Sequence, residues 1–318
     1  MPADAAIVVS ALEKRFGEVR AVDGLSFEVQ PGEIFGLVGP DGAGKTTTLR
    51  TLAGVLAPDG GTAHVAGFDI TRDPEDAKHH LSYMPQRFGL YEDLTVAENI
   101  RFYADLFGVP AGQWRQRSEE LLAAAGLAEF QKRLAGRLSG GMKQKLGLVC
   151  ALIHTPGVLL LDEPTNGVDP VSRRDFWSIL YARAGKGVAI LISTSYLDEA
   201  ERCHRVGLMH RGRLLYCDTP QELKKKFPGA VLALHSPELA RVMEALAGAP
   251  GVRRTVLVGD RVHAFADGAP ERAAQLRARL EAAGVAVESV EPVPPSIEDL
   301  FVSALETGES APSQEIRP

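Results

Sequence analysis

Short apolar runs alternate with amphipathic segments from the start of the chain to about residue 224. The runs SFEV (26–29), GEIFGLVG (32–39), VLLLD (158–162) and VAILIS (188–193) have the length and composition of buried strands. Apolar residues recur at helical spacing in TTTLRTLAGVL, DAKHH, ENIRFYADLF, SEELLAAAG, GMKQKLGLVCALI, RRDFWSILYARA and LDEAERC. Strands that alternate with helices predict an α/β fold with a mainly parallel sheet that is covered on both faces.

The pattern changes near KKKFPG (224–229), where we place a domain boundary. Beyond it the predicted elements follow the order β-α-β-β-α-β, which is the order of the ferredoxin-like fold. They are strands at 231–235, 253–258, 261–265 and 286–290, helices at 237–247 and 270–283, and a short helix from Ile297 to Leu305. We therefore expect a first domain at 1–224, a small α+β ferredoxin-like domain at 225–307 and a polar, disordered tail at 308–318.

The composition fits two globular domains and narrows the class of protein. The chain has 318 residues, 45% of them hydrophobic and 24% charged, which excludes bulk disorder. Its net charge of −6 argues against binding nucleic acid by charge alone. No apolar run reaches the length of about 18 residues that a membrane span needs, and the N-terminus lacks the pattern of a secretory signal. The odd number of cysteines, three, suits a reducing compartment.

A glycine-rich segment, GPDGAGKT (39–46), lies between a predicted strand and a predicted helix. The spacing matches G-x-x-x-x-G-K-[ST], the phosphate loop of nucleotide-binding proteins, in the context that this motif requires. Its glycines allow backbone N–H groups to turn toward phosphate oxygens, and the helix N-terminus attracts negative charge. Lys45 is then expected to bridge the β- and γ-phosphates, and the hydroxyl of Thr46 to bind Mg²⁺. The alternative, a chance glycine turn, leaves the flanking strand and helix unexplained.

A pair of carboxylates ends the apolar run VLLLDEP (158–164). We expect both to emerge beside the phosphate loop, because parallel strands end at the same edge of a sheet. Asp162 is the expected partner of Mg²⁺, and Glu163 is placed to act as general base toward an attacking water. Away from a phosphate loop, such a pair is more often a solvated strand end.

The segment LSGGMKQK (138–145) lies between these two motifs, and here the sequence resembles the ATP-binding subunits of ABC transporters, whose signature motif begins LSGG. Ser139, Gly140 and Gly141 open a predicted helix, where free N–H groups and a hydroxyl can receive an anion. The alternative is a plain helix N-cap, which serine often forms. The resemblance implies that this segment docks on the γ-phosphate of a facing subunit, so that ATP closes a head-to-tail dimer.

The resemblance covers about residues 5–222 and implies further site residues. It assigns Phe16 to stacking on adenine, Gln86 to Mg²⁺ and the attacking water, and Asp169 to a loop that crosses the dimer. It implies that ATP is bound by Phe16, Gly39, Pro40, Asp41, Gly42, Ala43, Gly44, Lys45, Thr46, Thr47, Ser139, Gly140, Gly141 and Asp169. It implies Thr46, Gln86 and Asp162 as ligands of Mg²⁺, and Glu163, Gln86 and Ser195 as the catalytic set.

One position departs from the family. Ser195, in STSYLDEAE, stands where members carry a histidine that reaches the γ-phosphate. A serine is too short to replace it, and the loss of one preorganised donor costs about 10² to 10³ in rate. We therefore expect reduced turnover and a heterodimer with a second ATPase chain that carries the histidine. A homodimer is the alternative.

The segments GPDGAGKTT, YMPQRFGLYEDLTV and STSYLDEAE resemble most closely the first ATP-binding half of multidrug exporters that carry two such halves in one chain. The resemblance implies a phosphate-loop ABC ATPase sheet with a helical subdomain at about 87–137. It also implies efflux of a drug or other small hydrophobic cargo, transmembrane permease partners, no nucleic acid, and a peripheral position at the cytoplasmic face of the inner membrane. The alternatives are a soluble ABC ATPase of DNA repair or translation and a non-hydrolysing regulatory ATP-binding partner.

Overall fold

The computed structural model describes residues 5–268 and 271–307. They form two units that divide between Thr219 and Pro220. The boundary predicted at residue 224 lies a little further along, inside a short helix. None of the helices within the described residues combines the length and the apolar character needed to cross a bilayer. The disordered tail predicted at 308–318 lies outside the described residues.

The first unit contains every strand and helix that the apolar pattern predicts there, and further strands beside them. In chain order its elements are β1 (Ile7–Phe16), β2 (Val19–Val29), β3 (Ile34–Val38), α1 (Lys45–Leu52), β4 (Gly60–Val65), β5 (Phe68–Asp69), α2 (Pro74–His80), β6 (Leu81–Met84), α3 (Val96–Leu106), α4 (Ala111–Ala125), α5 (Gly140–Leu152), β7 (Val158–Asp162), α6 (Pro170–Ala184), β8 (Ala189–Thr194), α7 (Leu197–Ala200), β9 (Arg205–His210) and β10 (Arg213–Asp218). The predicted helix LDEAERC is shortened to one turn, α7. The backbone bonds that follow run from Arg202 to Glu199 and from Cys203 to Ala200, which is the tighter three-residue spacing of a helix end.

The main sheet has the order β10-β9-β3-β8-β7-β6. Its neighbouring strands are parallel from β9 to β6, and β10 pairs with β9 antiparallel at one edge. Every residue of β3, β7 and β8 is buried, as continuous apolar runs predict for strands covered on both faces. The mainly parallel sheet of the prediction is confirmed. It aligns the carboxyl ends of β3, β8, β7 and β6 along one edge.

A second sheet, antiparallel and in the order β2-β1-β4-β5, is absent from the prediction. Its apolar alternation is broken at Ala11, which takes a positive φ of 46° where the pairing of β1 with β2 shifts register. Such a bulge exchanges inward and outward positions, so the period of two disappears from the sequence. Phe27 of β2 stacks on Phe35 of β3 with ring centroids 5.1 Å apart. One buried core therefore joins the two sheets.

We call α3 and α4, which lie within the predicted helical subdomain at about 87–137, the helical part of the first unit. A capping box starts α3: Thr95 Oγ1 accepts from the Glu98 N–H at 3.3 Å, and Glu98 Oε2 accepts from the Thr95 N–H at 2.8 Å. Helix α4 ends at Gly126, whose φ of 64° is the left-handed conformation that favours glycine. Both helices contact α5. The helical part is thus connected to the helix that the signature motif begins.

The second unit has the predicted ferredoxin-like order. Its elements are α8 (Pro220–Lys225), β11 (Ala230–His235), α9 (Leu239–Leu246), β12 (Val252–Val258), β13 (Arg261–Ala266), α10 (Glu271–Ala282), β14 (Ser289–Val293) and α11 (Ile297–Thr307). The sheet order is β12-β13-β11-β14, with antiparallel pairing throughout. Leu232 and Leu234 of β11 belong to the same buried cluster as Val242 of α9 and Leu280 of α10.

Two predicted bounds of this unit differ from the described residues. The strand predicted at 286–290 exists, but its bounds are wrong, because β14 runs from Ser289 to Val293. The backbone of Ala286 is satisfied outside the sheet: its carbonyl accepts from Ser236 Oγ at 2.6 Å and its N–H donates to Glu238 Oε2 at 3.1 Å. The first residue of the helix predicted at 270–283 lies outside the described residues.

Candidate nucleotide site

The parallel sheet gathers the predicted site residues at one edge. The phosphate loop (39–44) follows β3, Glu163 follows β7 and Ser195 follows β8, while Gln86 comes two residues after β6. Since these four strands are neighbours that run in the same direction, their carboxyl ends lie side by side. Residues that are far apart in the sequence are thereby brought together.

Glycines give the phosphate loop its shape. Gly42 and Gly44 have φ values of 76° and 105°, a region in which side chains are strained. A Cβ on Gly39 would overlap the carbonyl oxygen of Met209, and one on Gly44 would overlap that of Ala21. No side chain caps α1, which follows the loop directly. Its first N–H groups are therefore available to an anion such as phosphate.

Lys45 is buried, with 4% of its surface exposed. Its Nζ donates to the carbonyl oxygens of Gly39 at 2.7 Å and Pro40 at 3.1 Å. The same atom pairs with Glu163 Oε1 at 3.1 Å. These contacts fold the lysine back over the phosphate loop and hold its charge at the end of β7.

Asp162 is almost fully buried, and three side chains donate to it. Thr46 Oγ1 donates to Oδ1 at 2.9 Å and Ser193 Oγ donates to Oδ1 at 2.8 Å, while the Tyr83 hydroxyl donates to Oδ2 at 3.2 Å. Burial and the charge of Asp162 raise the pKa of Tyr83 to about 12, so the phenol keeps its proton. Tyr83 and Ser193 were not predicted. Ser193 ends the predicted strand VAILIS, which was an available signal, whereas Tyr83 lies on β6, a strand that the apolar pattern did not predict.

The oxygen atoms of Thr46 and Asp162 fit a magnesium ion. Mg²⁺ prefers hard oxygen ligands and is usually bound through one or two protein groups together with substrate phosphates. Within the described residues, no group of three or more His, Cys, Asp or Glu side chains could hold a metal ion. The donor set therefore suits a metal that arrives with a nucleotide.

Glu163 has a strained backbone and a well-bonded side chain. Its φ of 46° is left-handed, which costs of order 1 kcal/mol or more for a residue other than glycine. The neighbouring strand holds it there, because its N–H donates to the carbonyl oxygen and to Oγ of Ser193 at 3.1 and 3.0 Å. Gln86 Nε2 and Asn166 Nδ2 both donate to Oε2 at 3.4 Å. Asn166 was not predicted, although it is only three residues from Glu163. Its N–H donates to the Glu163 carbonyl oxygen and closes the turn after β7.

A cleft of about 750 Å³ opens over the phosphate loop, a size that suits a small-molecule ligand. The predicted residues that line it are Phe16, Asp41, Gly42, Ala43, Gly44, Lys45, Thr46, Thr47, Gln86, Glu163 and Ser195. Phe16 is 50% exposed there, so its ring is free to stack on a ligand. Gly39 and Pro40, also in the loop, do not line the cleft, but their carbonyl oxygens accept hydrogen bonds from Lys45. Arg20 and Arg211, which were not predicted, add two guanidinium groups to the lining.

The signature residues do not line this cleft. Ser139 caps α5, since its Oγ accepts from the Met142 N–H at 3.3 Å, and both Ser139 and Gly140 are exposed. Gly141 is buried, and a Cβ there would lie 2.6 Å from the Cβ of Ser172. Asp169 caps α6 by accepting from the Val171 and Ser172 N–H groups at 3.1 and 2.9 Å. These hydrogen bonds lower the pKa of Asp169, and the bond from the Ser172 N–H has the largest effect. Ser139 is thus a helix N-cap in this structure, and it is exposed together with Gly140 at the start of α5.

Comparison with known proteins identifies the family. The profile of the family described as "ABC transporter" matches residues 22–166. The chain is 39% identical over 280 residues, 87% of its length, to the "Nod factor export ATP-binding protein I" of Paraburkholderia xenovorans, of which it covers 91%. The chain belongs to the ABC transporter ATP-binding family. The profile "ATP-binding protein DrrA1-3-like, C-terminal domain" matches residues 219–305 of this ABC protein.

Other relatives agree with this assignment. The ABC chain is 36% identical over 302 residues to the "Daunorubicin resistance ATP-binding protein DrrA2" of Streptomyces coeruleorubidus, with 93% of this chain and 94% of that protein covered. It is 52% identical over 236 residues, 74% of its length, to the "Probable multidrug ABC transporter ATP-binding protein YbhF" of Escherichia coli, but it spans only 41% of that protein. A solved "ATP binding subunit of ABC transporter" superposes with a TM-score of 0.64 at 30% identity, covering 70% of this chain and 93% of that one. The resemblance and the ABC ATPase fold expected from the sequence are both confirmed.

Proposed function

We propose that this chain is the ATP-binding and ATP-hydrolysing subunit of an ABC exporter, which moves a drug or another small hydrophobic cargo through separate transmembrane subunits. Three relatives with names that refer to multidrug transport, Nod factor export and daunorubicin resistance support export. The observation that carries the hydrolytic part is the cluster at the strand ends. There Lys45 lies 3.1 Å from Glu163, and Thr46 lies 2.9 Å from Asp162.

Each residue of the cluster has one task in this proposal. The amides of the phosphate loop and Lys45 hold the β- and γ-phosphates, and Phe16 stacks on the adenine. Thr46, Asp162 and Gln86 would hold Mg²⁺, which when bound offsets the phosphate charge. Glu163 takes a proton from the attacking water. Its Oε1 faces Lys45 and the phosphate loop, while two amides hold Oε2, so one oxygen is directed toward the reaction.

A second ATPase chain completes the site. Ser139, Gly140, Gly141 and Asp169 of this chain cover a nucleotide that the partner holds, and the partner's equivalent residues cover the nucleotide of this chain. The exposure of Ser139 and Gly140, and their absence from this chain's own cleft lining, support that assignment. A free helix N-terminus carries partial positive charge, which attracts a γ-phosphate.

Ser195 makes the two sites unequal. It lines the cleft at the position of the family's histidine but is too short to reach across it as that residue does. We therefore infer reduced turnover at the site that depends on Ser195 and a heterodimer in which the other chain supplies an intact histidine. Glu163 argues against a non-hydrolysing regulatory subunit, because its carboxylate lies in the cleft and is oriented by amides.

The two units have separate tasks in the transporter. Residues 1–224 form the motor, and their helical subdomain at about 87–137 meets the permease subunits at the cytoplasmic face of the inner membrane, where the chain is peripheral. Residues 225–307 form an accessory domain of the DrrA type. Nucleic acid has no role in this proposal, in keeping with the net charge of −6.

ATP turnover of the purified chain tests the proposal, with ATP affinity measured beside it. Glu163→Gln keeps the size of the side chain and one acceptor oxygen but cannot take a proton. We expect it to lower turnover by at least about 10²-fold and to leave affinity for ATP within about threefold. Unchanged turnover in Glu163→Gln would contradict the assigned base.

Ser195→His in the same assay tests the inequality of the sites. It restores the donor that the family uses, and we expect turnover to rise by about 10²-fold. A homodimer of the natural chain that already hydrolyses ATP at a rate which Ser195→His does not raise would exclude the heterodimer and the reduced turnover together.

A further inference from the structure

A series of hydrogen bonds reaches Glu163 from outside the phosphate loop. Asn166 Nδ2 donates to Glu163 Oε2 at 3.4 Å, and the Tyr196 hydroxyl donates to Asn166 Oδ1 at 3.2 Å. Tyr196 directly follows Ser195, the position at which the family's histidine is missing. The segment after β8 is therefore connected to the candidate base through two side chains.

Tyr196 is held on both sides. Its N–H donates to Thr194 Oγ1 at 3.0 Å, which fixes the backbone at the end of β8. The guanidinium of Arg173 lies 4.6 Å from the centroid of its ring, a cation–π distance. A half-buried ring with two contacts thus presents the hydroxyl to Asn166.

Arg173 is anchored in turn by a buried carboxylate. Arg173 Nε lies 3.6 Å from Oε1 of Glu199, a residue with 0% exposure. The same oxygen accepts from Thr165 Oγ1 at 2.6 Å and from Trp177 Nε1 at 3.4 Å. Glu199 Oε2 and Arg173 Nε have no hydrogen-bond partner within the described residues. Arg173 is therefore held by charge, to Glu199 and, through its Nη1, to Asp198 Oδ2 at 3.6 Å. The series that ends at Glu163 therefore begins in the protein core.

Glu163 and Tyr196 contact opposite ends of the Asn166 amide. An asparagine side chain has a donor end and an acceptor end of nearly equal size. Because the Glu163 carboxylate only accepts, it takes the NH₂ group of Asn166, and the Tyr196 hydroxyl then donates to Oδ1. Without the Tyr196 hydroxyl, Asn166 Oδ1 loses this partner, and the amide that donates to Glu163 Oε2 is held at one end only.

We propose that Asn166 and Tyr196 are positioning residues for Glu163: they hold Oε2 so that Oε1 keeps its direction toward Lys45 and the reacting phosphate. The inference rests on the proposed function, since it takes Glu163 to be the base. It assigns to Tyr196 part of the orienting work for which Ser195 is too short. Neither residue touches the reacting atoms.

Tyr196→Phe removes the hydroxyl and keeps the ring against Arg173. A misdirected base loses rate without losing ligand affinity, so we expect kcat for ATP to fall about tenfold while ATP affinity stays within about twofold. The matched control is Tyr181→Phe, which also removes one hydroxyl, here bonded to the Arg202 carbonyl at 2.8 Å, outside the cleft. Equal kcat values for Tyr196→Phe and Tyr181→Phe would overturn the proposal.

A second measurement needs no turnover. Both tryptophans, Trp114 and Trp177, lie in the first unit, so their fluorescence reports the unfolding of that unit alone. Tyr196→Phe, Asn166→Ala and the double variant form a cycle. Because the two side chains share a hydrogen bond, we expect the double variant to lose about 2 °C less in Tm than the two single losses added together. Additive losses would show that the bond does not exist and would overturn the proposal.

The two measurements also separate this proposal from the proposed function. If Glu163→Gln leaves turnover unchanged, the assignment of the base fails, and the positioning role fails with it. If Glu163→Gln abolishes turnover while Tyr196→Phe behaves like Tyr181→Phe, only the positioning role fails. Loss in both variants with a non-additive unfolding cycle is the result that we expect.

Discussion

Two regions of this ABC protein carry the candidate chemistry, and they are built in opposite ways. The phosphate edge, which we define as Lys45, Thr46, Asp162 and Glu163, is made of side chains that bond to one another. Lys45, Asp162 and Glu163 are only 4%, 1% and 8% exposed. The signature segment, residues 138–141, begins a helix at the surface, and within the part of the chain that the structure describes the Ser139 hydroxyl bonds only to its own helix.

The difference follows from what each region needs in order to be stable. A buried charge without a partner is costly, so the phosphate edge must satisfy its charges inside one chain. The free N–H groups of an exposed helix N-terminus bond to water and remain available to a ligand. One region is therefore complete in a single chain, and the other acquires a ligand only when a second chain presents it.

Lys45→Met should produce the largest effect, because it removes the cation from the phosphate edge. The Glu163 side chain, 9% exposed, would lose its ion partner at 3.1 Å. We expect the free energy of unfolding to fall by about 3 kcal/mol, the usual consequence of breaking a buried pair. Turnover should fall by at least about 10³-fold. Tryptophan fluorescence during urea unfolding measures the first quantity and phosphate release the second.

The matched control lies in the helix that the signature segment begins. Lys143 pairs with Glu92 at 2.7 Å, with side chains 32% and 67% exposed. Lys143→Met should change stability by no more than about 0.5 kcal/mol, because solvent screens an exposed pair. Equal losses in Lys45→Met and Lys143→Met would remove the contrast between the two regions.

The same contrast explains how much of the fold could be predicted. The strands β3, β7 and β8 are buried on both faces, so their apolar runs stand out in the sequence. The antiparallel sheet could not be recognised, because Ala11 interrupts the alternation of β1 with a bulge. Ala286 was wrongly placed in a strand. Its hydrogen-bond partners, Ser236 and Glu238, lie about 50 residues earlier in the chain, so no local pattern revealed them.

The candidate site was predictable where chemistry requires a local motif. The phosphate loop and the pair Asp162 and Glu163 are short patterns with a physical reason, and the structure brings them together. Tyr83 and Ser193 contact Asp162 from β6 and β8, which are far from it in the sequence, while Asn166 contacts Glu163 from the turn that follows it directly. The contribution of Tyr83 and Ser193 depends on the order of strands in the sheet, which a single sequence does not contain.

Ser139→Asp should have an intermediate effect that depends on a partner chain. Aspartate caps a helix as well as serine does and suits its positive end, so stability should change by only a few tenths of a kcal/mol. ATP binding by the isolated chain should be unchanged, because Ser139 does not line this chain's cleft. In the assembled transporter the new charge would repel a facing γ-phosphate, and turnover should fall by about 10²-fold.

Ser139→Ala is the companion variant for this measurement. It removes the cap and should lower the free energy of unfolding by about 1 kcal/mol. If Ser139→Asp left transporter turnover at the natural rate, the segment would be a helix cap and nothing more. The difference between the two regions would then concern folding and not function.

The smallest effect is expected at Asp169, which is exposed and caps α6 beside the signature segment. The N–H groups of Ser172 and Val171 lower its pKa below the ordinary 3.8, so its ionised form stabilises the folded state above that pH. This contribution is lost as the pH falls through the lowered value, when the carboxylate takes up a proton. Asp169→Asn keeps the capping geometry without the charge. Its Tm should therefore lie slightly below that of the natural chain at pH 7 and meet it under acid conditions. A gap that stayed constant from pH 7 to below the pKa would mean that the charge contributes nothing, and that the cap acts through geometry alone.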